Sequence, residues 1–162
     1  MKHLIFLSFV VLLLASCKKH DCVPPPNNTS NYIVFGHFYG ECVGESCIET
    51  FKLDSVQVWE DTLDKYLNAQ NGSDFKDLSF VPLPAQKFEL VKDLPNFFPN
   101  QLLSDPVRVF GQPDAADGGG LYVEYHRNGI NKLWLFDQSK SNVPVQYHAF
   151  MDKINQKIGL LQ

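Results

Sequence analysis

The residues whose types and spacing could do chemistry stand first between His37 and Cys47. Cys42 and Cys47 are five positions apart, with the imidazole of His37 just before them. The segment joins two apolar stretches that read as antiparallel strands, so the chain itself brings the two thiols together. In an oxidising compartment the first expectation is a disulfide between Cys42 and Cys47. It closes a short loop and adds about 2 kcal/mol on a loop-entropy account. The alternative is a metal or thiol-redox centre, because two thiolates and His37 suit Zn²⁺ or Cu⁺. The spacing C-x4-C is looser than a zinc knuckle and is not the C-x-x-C of a thioredoxin-type pair. The disulfide is preferred, and no metal or other cofactor is expected. Cys22 is left odd, either free or paired between molecules.

The remaining candidates are weaker. His126 falls near a hairpin tip and His148 beside a helical apolar stripe. No serine stands in a G-x-S-x-G context, and no catalytic residue is assigned. Asp114 and Asp117 precede three glycines, but lack the ligand order of a calcium loop and the Lys-Ser/Thr of a phosphate loop. Gly118 to Gly120 read as a turn into a strand. Tyr122 and Trp134 are expected on one sheet face, opposite Leu121 and Val123, as a candidate binding patch.

The elements that position these groups are legible in the pattern. Tyr32–Tyr39 is β-branched and aromatic, hence a strand, and Gly36 within it marks a close backbone approach or a bulge. Ile48–Leu53 and Val56–Glu60 follow, joined by a turn at Asp54-Ser55. Residues 61–81 read as mainly loop. Pro84 suits the start of a helix carrying Phe88 and Val91, limited by Pro95, and a short helix fits between Pro99 and Pro106. Leu121–Arg127 and Ile130–Asp137 flank Asn128-Gly129, a strong hairpin signal. A three-residue loop pairs Glu124 with Lys132 and Val123 with Leu133, and is preferred over a two-residue loop because charge meets charge. A last helix runs from about Pro144 to Ile158 on an apolar stripe of Tyr147, Phe150, Met151, Ile154 and Ile158, with Gly159 as its C-cap. The expected fold is α+β, a single antiparallel meander sheet of about five strands, ββ(β)α then ββα, with helices on one face.

Composition narrows the function classes. The chain has 162 residues, 44% hydrophobic and 20% charged, which is not the signature of a disordered chain. Fourteen basic against 18 acidic residues give a net charge of −4, no footprint for nucleic acid. Lys2 precedes an apolar run, Leu4–Leu14, too short to span a bilayer and suited to a signal peptide. The run ends in Leu14-Ala15-Ser16-Cys17, which resembles a bacterial lipobox. That resemblance implies cleavage before Cys17 and attachment of diacylglyceryl and palmitate chains to it. Residues 1–16 are then a signal peptide, 17–31 a lipidated cysteine and proline-rich tether, and 32–162 one α+β domain. Anchoring by two or more chains is stable, because each buried CH₂ adds about 0.8 kcal/mol.

Beyond the anchor, Phe35-Gly36-His37-Phe38-Tyr39-Gly40-Glu41-Cys42 through Cys47, with Phe51-Lys52-Leu53 and Trp59-Glu60-Asp61-Thr62, resembles a family of small uncharacterised secreted and lipoprotein domains built on a two-cysteine β-hairpin. Gly119–Tyr125, Asn128-Gly129 and Ser141-Asn142-Val143-Pro144 fit the same resemblance. It implies the fold and the two-cysteine loop and carries no assigned activity. The expected protein is a lipid-anchored lipoprotein of the bacterial cell envelope, at the outer membrane. It is expected to be a non-catalytic module binding another envelope component, with a metal-binding or thiol-redox role at Cys42, Cys47 and His37 as the alternative.

Overall fold

A computed structural model describes residues 31–66 and 78–162. The expected signal peptide, the lipid-attachment residue Cys17, Cys22 and the tether up to residue 30 lie outside the described residues. Among these described residues seven strands form one sheet: β1 (Tyr32–Phe38), β2 (Ile48–Leu53), β3 (Val58–Asp61), β4 (Phe80–Pro82), β5 (Val109–Phe110), β6 (Gly120–Arg127) and β7 (Ile130–Asp137). Their order is β4-β3-β2-β1-β6-β7-β5. Among the described residues two α-helices, α1 (Ala85–Val91) and α2 (His148–Leu161), complete the α+β fold.

The expected five-strand antiparallel meander is corrected in two ways. The sheet is larger, and β5 runs parallel to β7, with Val109 opposite Leu135. Both added strands lie at the sheet's edges, with three and two residues. Such short edges, one carrying Pro82, suppress the alternation that marks a strand and limit edge-to-edge pairing. The sheet is also no meander, because β1 pairs with β6 and joins two antiparallel groups.

The hairpin register differs from the expected one. Asn128 and Gly129 both take left-handed backbone, φ 53° and 79°. This is the requirement of a two-residue hairpin loop, and Arg127 pairs directly with Ile130. Val123 therefore faces Trp134, Tyr122 faces Leu135, and Glu124 faces Leu133. Apolar burial outweighs the single charge pair that favoured the other register: Trp134 and Phe136, rather than Leu133 and Leu135, join Leu121 and Val123 under the helices.

That face holds the main core. Ile33, Phe35, Phe51, Leu53 and Val58 from the sheet meet Val91 of α1 and Phe150, Met151, Ile154 and Ile158 of α2. The expected stripe of the last helix is buried as read. α2 continues through Gly159 to Leu161 instead of ending there, and Lys87 of α1 donates to the carbonyls of Leu160, Leu161 and Gln162. A lysine on the terminal carbonyls does what a glycine cap would have done. The opposite face buries Val34, Phe38, Tyr122 and Leu135. β1 is thus paired on both edges and buried on both faces.

Gly36 is the point where this close pairing admits no side chain. A Cβ there would lie 2.1 Å from the Glu49 carbonyl oxygen on β2. Gly36→Ala must push β1 and β2 apart, and is expected to lower stability by about 2 kcal/mol or more, read as a shift in the urea midpoint. An unchanged midpoint would show that the two strands are less tightly apposed.

Candidate functional site

The two-cysteine loop sits at the C-terminal end of β1. Cys42 and Cys47 are joined by a disulfide, with 5.5 Å between their Cα atoms. The loop is held from both sides: the Tyr39 amide donates to the Cys47 carbonyl at 3.0 Å, and the Cys47 amide to the Gly44 carbonyl at 3.2 Å. Cys47 is buried, while Val43 at the tip is fully exposed. His37 Nε2 lies 3.0 Å from the Ser46 carbonyl and donates to it. With the sulfurs bonded to each other and the imidazole on a backbone carbonyl, the three residues of the alternative metal reading are engaged in structure. Burial pushes the His37 imidazole below its ordinary value of 6.5, opposed in part by the Ser46 hydrogen bond.

The other sequence candidates are also occupied. Both oxygens of Asp114 accept hydrogen bonds, from the Gly40 and Gly119 amides on one and the Tyr66 hydroxyl on the other. His148 Nε2 donates to the Val143 carbonyl at 2.8 Å. Tyr122 and Trp134 do not form a patch. Both are fully buried, on opposite faces of the sheet, because the register turned Trp134 toward the helices. Arg108 lies over the Trp134 ring at 5.3 Å. The Tyr122 hydroxyl donates to Glu124 at 2.5 Å, and Glu124 also pairs with His126. Burial, then the Glu124 carboxylate, push the Tyr122 phenol far above its ordinary range, so it remains a donor.

The feature that sequence reading missed lies at the other end of β1. A cleft of about 620 Å³ opens between the N-terminal end of β1, the ends of β2 and β6, and the segment running from α1 through residue 100. Its volume is that of a small-ligand site. Ile33 and Leu53 form a buried apolar floor, with Phe88, Phe98 and Tyr125 above it. Phe98 and Tyr125 stack at 4.5 Å between ring centroids, so one wall of the cleft is a fixed aromatic pair. Asn31, Asn96 and Asn100 supply amides at the mouth, and Lys92 and Arg127 supply cations.

The far side of the mouth is equally fixed. Tyr32 and His126 both line the cleft, and their rings stack at 4.1 Å. Behind them Lys52 lies 4.4 Å from the Tyr32 ring centre and also faces Trp59 and Phe80. The helical wall is pinned through Lys157 of α2. This buried ammonium lies 2.5 Å from Asp93 and donates to the Leu90 carbonyl at 2.6 Å. The Lys157 hydrogen bond holds the Asp93 carboxyl below its ordinary range, against the opposing effect of burial. The lining comes from four separate stretches of chain, so no local motif marks it. Phe88, predicted only as one member of a helical apolar face, is its one legible signal.

No protein family, characterised protein or solved structure matches the chain. Among the described residues no helix is long and apolar enough to cross a membrane, and no cluster of three or more His, Cys, Asp or Glu stands ready for a metal ion.

The buried His37 yields a pH prediction. Its lowered value in the fold means that the unfolded chain takes up the proton first as pH falls. The stability it contributes is complete above about pH 6.5 and is lost as pH falls through the folded value. Wild-type protein is expected to lose urea resistance between about pH 7 and about pH 5. His37→Gln, which keeps a donor for Ser46, should lose less over that interval. Identical pH slopes in the two proteins would remove His37 from this account.

Proposed function

We propose that this chain is a lipid-anchored protein of the bacterial envelope that binds a small ligand in the cleft at the start of β1, without transforming it. The lipobox-like Leu14-Ala15-Ser16-Cys17 supports the anchor. The single observation that carries the binding role is the cleft itself: an apolar floor, a stacked aromatic wall and polar groups gathered at the mouth. This is the composition of sites that hold a ligand by burial and orient it by a few polar contacts. Asn31 lines the cleft, so the ligand site lies at the end of the domain where the tether joins. The disulfide at the opposite end of β1 acts in this reading as a staple.

Two measurements on the full chain test the proposal. Cys17→Ala is expected to move the protein from the detergent phase to the aqueous phase on phase partitioning. Wild-type protein already in the aqueous phase would overturn the anchor. Native mass spectrometry of protein taken from the envelope is expected to show a small non-covalent adduct. Asn96→Trp places a large side chain at an exposed lining position, away from the buried core, and should abolish that adduct. An adduct unaffected by Asn96→Trp would place binding elsewhere.

A further inference from the structure

We infer that the cleft selects a small anion carrying an aromatic ring or a short acyl portion. This inference rests on the proposed reading of the cleft as a ligand site and adds the chemistry of the ligand. Its first support is charge placed against the trend of the chain. The protein as a whole is acidic, with a net charge of −4. The mouth of the cleft nevertheless carries two exposed cations on different walls, Lys92 just after α1 and Arg127 at the end of β6.

The single carboxylate of the lining does not cancel them. Asp54 Oδ1 accepts the Val56 amide at 2.8 Å and the Gln57 amide at 2.9 Å, which fixes the carboxylate on the β2–β3 turn, and one carboxylate against two cations leaves the lining with a positive surplus. Arg127 has no carboxylate partner among the described residues. Lys92 pairs with Glu89 at 2.6 Å, but both side chains are more than half exposed. An exposed pair of this kind contributes little and can be exchanged for a ligand anion. Arg127 offers a planar fork suited to a carboxylate or phosphate, and Lys92 a point charge.

The second support is the floor. Charged groups alone would describe a surface anion patch. Here they share the cleft with the partly exposed rings of Phe88 and Tyr125, backed by the buried Phe98, Leu53 and Ile33. A fully polar anion would leave the exposed parts of Phe88 and Tyr125 facing water, and a fully apolar ligand would leave Arg127 without a counter-charge. A molecule with one anionic end and one apolar end satisfies both.

The test uses the full-length protein in phosphatidylcholine nanodiscs, with empty discs as the blank, and two probes sharing one ring system. These are 1-naphthyl phosphate, which is anionic, and 1-naphthol, which is neutral. Calorimetric titration is expected to show the phosphate binding about tenfold tighter or better, a preference that weakens with added salt. Lys92→Gln combined with Arg127→Gln should reduce the preference to less than about threefold, and both positions are exposed enough to leave the fold intact. Asn96→Trp should abolish binding of both probes. Equal affinities for the two probes, both lost in Asn96→Trp, would overturn anion selection while leaving the cleft as a binding site. Binding of neither probe, or binding indifferent to Asn96→Trp, would overturn the inference together with the proposed function.

Discussion

The register between β6 and β7 decides which side chains the whole domain is built around. Side chains alternate across a sheet, so a slip of one residue would exchange every inward group of a strand for an outward one. The two left-handed residues Asn128 and Gly129 fix the loop at two residues, and the pairing of Val123 with Trp134 follows. With Trp134 and Phe136 turned inward, the helix-covered face gains its largest aromatic groups, and α1, α2 and the intervening turns pack on them. The indole nitrogen of Trp134 is buried with no hydrogen-bond partner among the described residues. An unsatisfied donor costs about 1–3 kcal/mol. The burial of so large a side chain, with further contact from Arg108, offsets that cost.

β1 carries this arrangement to both ends of the domain. It pairs with β6 along its whole length and with β2 from Ile33 to Phe38, and is buried on both faces, so its ends are held against a well-packed centre. At one end the Cys42–Cys47 disulfide and the His37–Ser46 hydrogen bond fasten the crossover to β2. At the other end Tyr32 and Ile33 meet Tyr125 and His126 of β6 to form the sheet side of the cleft. The helical side depends on a different tie, the buried Lys157 that holds Asp93 and Leu90. The cleft is therefore a gap between two separately braced walls. In the proposed reading, walls braced in this way lower the ordering cost of binding a ligand.

What the sequence disclosed divides along physical lines. Long segments with one dominant composition or period were legible: β1 from its β-branched and aromatic run, β2, the β6–β7 pair, and the stripe of α2. Gly36 as a close approach and the Asp54-Ser55 turn were legible because local chemistry alone fixes them. The edge strands β4 and β5 were not, since two or three residues carry no period. The register was misread because one possible pair, Glu124 with Lys132, was weighed above the burial of Trp134. In the structure Glu124 turns instead to Tyr122 and His126, and Lys132 to the Leu103 carbonyl. Placing Tyr122 and Trp134 on one face was a direct consequence of that register. The two-cysteine loop was readable from spacing. The cleft was not, because it is assembled from the ends of β1, β2 and β6 and the chain around Phe88 to Asn100, which only tertiary structure brings together.

The most direct test of this account is the cross-strand Hα–Hα contact pattern of the β6–β7 hairpin by nuclear Overhauser measurements. In antiparallel strands with a two-residue loop, Glu124 and Leu133 form a non-hydrogen-bonded pair whose Hα atoms lie close. The account predicts a strong contact between those two protons, and another between Tyr122 and Leu135. A strong contact between Val123 and Leu133, the non-hydrogen-bonded pair of the three-residue-loop register, would establish that register, return Leu133 and Leu135 to the helices, and contradict the core on which the cleft is built.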